Sequence, residues 1–501
     1  MEKKTFQIDN ITWNDLGLDD IFSRLNSCIT SSGHDRLLFR LKNPYIEADN
    51  GFNEYIRLID EIDKFSKGED NLSLINMLSE ISTLSKYKFE DEICSFENEK
   101  KESNLKHLVI DLLTVISFAL IFVYPGPGIV AFFIMIAIAV SDYFKAKAII
   151  SSKLYVFNYL IRMINSVKKY KITGIENYEI FNIKYQRINE IKDVFLPFMF
   201  GTKIISQGAR VTSNPLSILF DYLRMIFHLD IIKYNSMISF LKGHIKEALE
   251  LYEIIGDIDT AVAVNKFKER YNVAKPIFDY ETGINLVDAY HPLVENPVCN
   301  SINTRQGILI TGCNASGKST FLKTVAINVI FAQSFGFVFA KEYKAPFYKI
   351  YTSMALKDDI TAGESYFVSE IKSLKRILDE VNNDSCKILC VVDEVLRGTN
   401  TVERIAASVE ILLSLAKDNV LCFLATHDIE LTELLSDVFS NYHFTEEIKK
   451  DDVVFSYKLY EGAANSRNAI RLLSCLGYDD EIVNNAISRA DSFIKNGVWN
   501  K

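Results

Sequence analysis

The stretch Gly307-Ile308-Leu309-Ile310-Thr311-Gly312-Cys313-Asn314-Ala315-Ser316-Gly317-Lys318-Ser319-Thr320 constrains this chain more than any other. A short apolar run reads as a buried strand. A glycine-framed loop follows, and a run able to form a helix starts near Phe321. Gly312, Gly317, Lys318 and Ser319 fit G-x-x-x-x-G-K-[ST], the phosphate-binding loop. Glycines let the backbone curl until successive N–H groups face an anion, and the helix start adds the positive end of its dipole. On this reading Lys318 reaches the β- and γ-phosphates of a nucleotide and Ser319 holds Mg²⁺. Asn314, Ala315, Ser316 and Thr320 complete the loop.

At 501 residues the chain is too long for one ordinary core, so two or three domains are expected. A net charge of −9 argues against a surface that coats nucleic acid throughout, but leaves room for a local basic groove. The eight cysteines run from Cys28 to Cys475, and the closest pair, Cys386 and Cys390, lacks zinc-site spacing. They read as reduced thiols of a cytosolic compartment. Met-Glu-Lys-Lys-Thr-Phe offers no apolar signal segment at the N-terminus.

Residues 1–106 read as helical, with Asp19-Asp20 positioned to cap a helix carrying Ile21 and Leu25, and a second stripe ending at Asn43-Pro44. Residues 107–144 form an abrupt apolar block. Its arms, Val109 to Tyr124 and Ile129 to Val140, flank Pro125-Gly126-Pro127-Gly128, a strong break expected to be the turn. Each arm is shorter than the roughly 20 apolar residues of a perpendicular membrane span. Lysines on both sides (Lys100, Lys101 and Lys106; Lys145, Lys147 and Lys153) suit a hairpin with both ends cytoplasmic. A membrane hairpin is therefore expected, against the alternative of a helical hairpin buried in the fold or in an oligomer interface. Residues 145–274 return to long helices. The basic segment Ser166–Lys171 is open between a solvated face and a phosphate contact.

From residue 275 to 501 the pattern becomes α/β. Strands at Lys387–Val392 and Val420–Leu424 alternate with helices at Glu370–Val381 and Val402–Asp418, which predicts a mostly parallel sheet. Val391-Val392-Asp393-Glu394 delivers two carboxylates to a strand's carboxyl end. Asp393 there would coordinate Mg²⁺, and Glu394 would orient and deprotonate an attacking water. Ala425-Thr426-His427-Asp428 ends the next strand, where His427 can reach the γ-phosphate and report its presence.

A phosphate loop, Asp-Glu and a strand-end histidine together resemble the ABC class of ATPases, and within it the MutS family. Gly-Cys-Asn-Ala-Ser-Gly-Lys-Ser-Thr is similar to that family's Gly-Pro-Asn-Met-Gly-Gly-Lys-Ser-Thr. Asp393-Glu394-Val395-Leu396-Arg397-Gly398-Thr399 is similar to its Asp-Glu-Ile-Gly-Arg-Gly-Thr, and Ala425-Thr426-His427 matches outright. Asp358-Asp359 followed by Gly363, Ser365, Tyr366 and Phe367 resembles its signature loop, whose serine serves the partner subunit's nucleotide. Tyr290-His291-Pro292-Leu293-Val294 resembles the entry to its ATPase domain. Gly462-Ala463-Ala464-Asn465-Ser466, with Ala486 and Arg489, resembles its C-terminal dimerisation tail. The likeness is strong from about Gly256 to Ile494 and weaker over Leu18–Pro44 and the helices after Ser151.

The resemblance implies an α/β P-loop ATPase domain of ABC type, preceded by an all-α lever or core region that carries the apolar hairpin. It implies ATP and Mg²⁺ as ligands and a homodimer sandwiching two ATPs, with Ser365 completing the partner's site. It also implies ATP-dependent DNA binding, in mismatch repair or a related DNA transaction, at the cytoplasmic face of a membrane, or in the cytoplasm if the hairpin is buried. Three departures stand out. The chain begins at the family's core with no Phe-x-Glu wedge in a suitable context, the lever helices show no DNA clamp, and Leu396 and Ser316 replace glycines. Two rivals remain. One is a membrane-tethered mechanical switch acting on a protein partner. The other is an ABC-type transporter, for which two short arms are too few and a Leu-Ser-Gly-Gly-Gln-like signature is lacking.

Overall fold

The computed structural model describes all residues except 1–5, 69–70, 85–88, 99–102, 200–201, 203–214, 280, 314–315, 355–365, 384–385, 450–451, 464–469, 471–472, 474–476 and 497–501. The chain divides into two units. One combines 27–37 with 57–265, and the other combines 1–26 and 38–56 with 266–501.

Among the described residues of the first unit the regular elements are all helices. Its longest element is the helix Pro125–Lys169. The C-terminal part of that helix is core: Val156, Phe157, Tyr159, Leu160, Met163 and Ile164 are buried. It packs on the helix Asn71–Ile81, where the Ser166 hydroxyl donates to Met77 O at 2.6 Å. The basic segment is thus the end of a packed helix: Ser166 and Val167 are buried, and Lys169 pairs with Glu80 at 2.6 Å.

Helix Ile245–Lys268 carries Gly256 in its interior, where glycine normally weakens a helix. The reason is a close crossing. A Cβ there would stand 2.6 Å from Ser32 O and 2.4 Å from Arg36 Cγ. Next to the crossing, buried Asp259 accepts from Thr30 N at 2.8 Å and from Thr30 Oγ1 at 2.6 Å. Thr30 Oγ1 in turn accepts from Gly33 N at 3.0 Å, which caps the helix Ser31–Lys42.

The apolar block forms two packed helices, Leu105–Val123 and the N-terminal part of Pro125–Lys169. The arms are longer than the apolar runs suggest, and the turn is tighter. Pro125–Gly128, expected as the turn, are instead the first turn of the second helix. Proline at the first helical position has no N–H to leave unbonded, and Gly128 N–H already donates to Tyr124 O at 2.8 Å. Gly128 is needed because its Cβ would stand 2.6 Å from Ile121 N on the facing helix. Both arms present apolar side chains outward, including Phe122 at 78% and Phe133 at 67% exposure. Among the described residues one segment, Pro125–Ala148, is long and apolar enough to cross a membrane by length and composition. Asp111, the charge inside the first arm, is paired with His228 Nδ1 at 2.7 Å.

The second unit begins with the helices Asn10–Leu16 and Leu18–Leu25. They hinge at Gly17, whose φ of 64° is the left-handed conformation glycine adopts freely. Asp19 and Asp20 lie in the first turn rather than at the cap, where they complement the helix dipole. Buried Asp15 accepts from Thr352 Oγ1 at 2.7 Å and Met354 N at 2.9 Å, tying the first helix to the end of a strand. The strands are β1 Ile277–Phe278, β2 Ile284–Ala289, β3 Asn300–Thr304, β4 Gly307–Thr311, β5 Glu342–Ala345, β6 Lys349–Ser353, β7 Ile388–Asp393, β8 Val420–Ala425, β9 Phe439–Lys449 and β10 Asp452–Glu461. They form a four-stranded sheet, β1-β5-β2-β3, and a six-stranded sheet, β10-β9-β4-β8-β7-β6. The larger sheet is parallel except for the β9–β10 pair, as the strand–helix alternation predicts. Every residue of β7 and β8 is buried, including the register partners Cys390 and Cys422, and the described cysteines are free thiols.

The crossing at Gly256 gives a direct test. Gly256→Ala forces a methyl group against backbone and is expected to lower stability by about 1–3 kcal/mol. Gly243→Ala, whose Cβ would meet Phe240 O at an ordinary 3.5 Å, is expected to stay near wild type. Urea unfolding followed by circular dichroism checks both.

Candidate nucleotide site

The site stands where β4, β7 and β8 end. Register aligns Ile310 with Ala425, and Asp393 with the same Ala425, so three parallel strands stop at one level. Chain leaving a strand at its carboxyl end is where such sheets bind ligands. After β4 the backbone turns through Gly312 (φ 145°) and Gly317 (φ 108°) before the helix Lys318–Phe335 starts. A Cβ on Gly312 would stand 2.9 Å from Phe444 O, so glycine is required for space as well as for φ. Ser316, where the resemblance has glycine, is buried, and its hydroxyl has no hydrogen-bond partner among the described residues.

The P-loop helix is buried on nearly every side, touching β2, β7, β8 and the Asn10–Leu16 helix. Its polar residues are therefore bonded. Asn328 Oδ1 accepts from Phe339 N at 2.7 Å, and Gln333 Oε1 from Tyr348 N at 2.9 Å. This packing fixes the first turn of the helix. Lys318 Nζ donates to Gly312 O at 2.7 Å and Cys313 O at 3.0 Å, and lies 3.3 Å from His427 Nε2. Burial lowers the Lys318 pKa below the ordinary lysine value, opposed by Asp393 and Glu394. Ser319 Oγ donates to Asp393 Oδ2 at 2.5 Å, and Thr320 lies on the cavity wall.

Glu394 follows with φ 64°, an uncommon conformation for a residue with a side chain. Its carboxylate is held at both oxygens, Oε2 by Arg397 Nε at 2.6 Å and Oε1 by His427 Nε2 at 3.3 Å. Burial, and then the Lys318 charge, lower the His427 pKa, while Glu394 pulls the other way. The loop after β8 is fastened by a bidentate pair, Arg404 to Asp428 at 2.9 and 2.6 Å. Leu396 takes φ 58° while buried, so the place where the resembling motif has glycine does need the left-handed region. Leucine holds it at a cost of about 1–2 kcal/mol.

Lys318, Ser319, Asp393, Glu394, Arg397 and His427 line a cavity of about 770 Å³, with Tyr290, Phe444 and Tyr457 also on its walls. Of the residues singled out in the sequence, Gly317, Lys318, Ser319, Thr320, Asp393, Glu394 and His427 border this cavity, while Gly312 and Ser316 lie in the loop that leads to it. Asn314, Ala315 and the signature stretch with Asp358, Asp359, Gly363 and Ser365 lie outside the described residues. Of the tail, Ala464–Ser466 lie outside them too, while Ala486 and Arg489 sit on the helix Asp480–Asn496. Phe444 and Tyr457 escaped the sequence reading because they come from a hairpin with no motif. Arg397 stood inside a quoted motif, but its grip on Glu394 depends on the turn at Leu396.

The donor set suits a triphosphate with a hard cation. A buried lysine bonded to carbonyls has charge to give to phosphates, and a hydroxyl beside a carboxylate is an oxygen pair of the kind Mg²⁺ prefers. A parallel sheet, a phosphate loop opening a buried helix and a strand-end Asp-Glu define a P-loop ATPase domain. Residues 308–493 match MutS domain V. The chain is 32% identical over 275 residues to the DNA mismatch repair protein MutS of Thermotoga maritima, covering 53% of this chain and 34% of that protein. It is 33% identical over 270 residues to the protein of the same name from Leptospira interrogans, covering 51% and 31%. The chain thus spans about a third of the length of these curated relatives. Residues 308–493 thus carry MutS domain V, an ATPase domain, and the chain is homologous to the DNA mismatch repair protein MutS over about half its length.

His291, at the cavity wall, is buried, and its Nδ1 accepts from Leu293 N at 3.2 Å. Burial, helped by Lys323, pushes its pKa down to about 4. The folded state therefore favours the neutral ring. Its contribution to stability should be complete above the unfolded-state pKa near 6.5 and decline as pH falls toward about 4. His291→Asn, whose side-chain oxygen can take the Leu293 N–H, is expected to flatten stability over that window, measured by urea unfolding at stepped pH.

Proposed function

We propose that this chain is an ATP-hydrolysing switch of MutS type that acts as a homodimer on DNA and is held at a membrane by its apolar hairpin. The observation that carries the hydrolytic part is the Ser319–Asp393 bond at 2.5 Å, with Lys318 and Glu394 on either side of it. Lys318 would exchange carbonyl oxygens for β- and γ-phosphate oxygens, and Ser319 and Asp393 would hold Mg²⁺. That ion supplies charge neutralisation on the phosphates. Glu394, released from Arg397, would orient and deprotonate the water. Neutral His427 would sense the γ-phosphate. Ser365 would complete the site of the second copy, so that nucleotide closes the dimer and hydrolysis opens it. The support for DNA as the substrate is the homology to mismatch repair proteins over half the chain.

Glu394→Gln is expected to bind ATP and to lose about 10²–10⁴-fold in turnover, while Lys318→Ala loses binding itself. Fluorescent-nucleotide titration and phosphate release measure the two, and wild-type turnover in Glu394→Gln would remove the base assignment. The salt slope of DNA binding by purified protein tests the DNA part. A protein without such binding would favour the second reading, a membrane-tethered ATPase acting on a protein, which the exposed hairpin also supports.

The membrane part rests on the outward apolar residues of both arms. Lipid would remove that surface from water at about 25 cal/mol per Å². The full chain is expected to float with liposomes, and a chain lacking residues 109–140 to stay in the aqueous phase and still bind ATP. Full-length protein that is monodisperse without detergent and ignores vesicles would assign the hairpin to an oligomer interface instead.

A further inference from the structure

The open end of the hairpin holds two imidazoles and two carboxylates close together. His107 and Asp111 are one turn apart on the helix Leu105–Val123. Asp142 faces them from the helix Pro125–Lys169. His228 comes from a third place, the residue before the helix Leu229–Leu241, with φ 45°. His107, Asp142 and His228 are all buried, His228 completely.

The distances are those of a ligand cluster. His107 Nδ1 lies 2.8 Å from Asp142 Oδ2, and His228 Nε2 lies 3.5 Å from the same oxygen. One ligand atom from each of the three residues falls within 4.8 Å of the others. An ion bound at about 2.0–2.2 Å by imidazole nitrogen and carboxylate oxygen sets tetrahedral ligand atoms about 3.3 Å apart, between the two measured separations. His228 Nε2 is buried without a hydrogen bond, an arrangement that is costly unless something fills it. Its other nitrogen, Nδ1, is taken by Asp111 at 2.7 Å. A carboxylate on the far nitrogen is how metal-bound histidines are usually oriented. Lys106 pairs with Asp142 Oδ1, leaving Oδ2 for a cation. Its side chain is mostly exposed, so its own charge is screened.

We infer that His107, Asp142 and His228 form a site for a divalent transition-metal ion of the zinc type, oriented through Asp111. Two imidazoles and a carboxylate suit such an ion better than Mg²⁺ or Ca²⁺, which prefer oxygen alone. The site is a three-point clamp. It joins both helices of the hairpin to the segment entering Leu229–Leu241, and a water completes the coordination. The competing occupant is a proton, which would make His228 an imidazolium donating to both carboxylates.

The test uses the full chain in detergent, stripped by chelator and titrated with Co²⁺. One equivalent is expected to bind with the d–d absorption of a low-coordinate nitrogen–oxygen site, without a thiolate charge-transfer band, and to be displaced by Zn²⁺. His107→Ala and His228→Ala are each expected to weaken binding at least about 100-fold, Asp111→Asn by about 10–100-fold, and His443→Ala not at all. If the alanine variants fail to fold, X-ray absorption of the zinc-loaded wild type decides: two imidazoles in the first shell are expected. No stoichiometric cobalt, a first shell without two imidazoles, or unchanged affinity in a folded His107→Ala, His228→Ala double variant would each overturn the site.

Discussion

The nucleotide site depends on one constraint, the common level at which β4, β7 and β8 end. β4 leads into the phosphate loop after Thr311, β7 ends on Asp393 with Glu394 next, and His427 follows the end of β8 by two residues. A slip of one residue in any pairing would turn the exposed ends through the sheet and scatter these groups. Full burial of β7 and β8 holds the register, because both faces of each strand are covered.

The same burial accounts for the strain and polarity found near the site. A helix buried all round would expel its polar residues, so Asn328 and Gln333 are kept by exact partners on the chain that wraps the helix. Glu394 and Leu396 adopt left-handed backbone to turn the chain back under Arg397. Arg397 then neutralises Glu394 in a cavity where a lone carboxylate would be costly. Unusual backbone of this sort persists where the surroundings over-determine it, and functional sites are where it gathers.

In the helical unit the balance is different. Its core is ordinary aromatic and aliphatic packing, locked where backbones cross closely at Gly256 and Gly128. The hairpin instead turns its hydrocarbon outward and its charges inward. Asp111, Asp142, His107 and His228 pair with one another at its open end. That pairing explains how a helix with an aspartate inside its apolar run is tolerated.

The sequence by itself determined the phosphate loop, the Asp-Glu pair, the strand-end histidine and the parallel sheet, because each is a local pattern whose meaning survives without knowing its neighbours. It also marked the apolar arms, since composition alone sets them apart. Only the tertiary structure decided how these parts meet. Pro125–Gly128 looked like a loop and became a helix start, since proline's missing N–H is harmless only there. Gly256 sits where a helix crosses another closely, a reason for glycine that only the packing shows. The ties of Asp15 to Thr352, Arg397 to Glu394 and His228 to Asp111 join residues whose partners are set by packing. A side chain's type says what it can bond to, but burial and geometry choose which partner it finds.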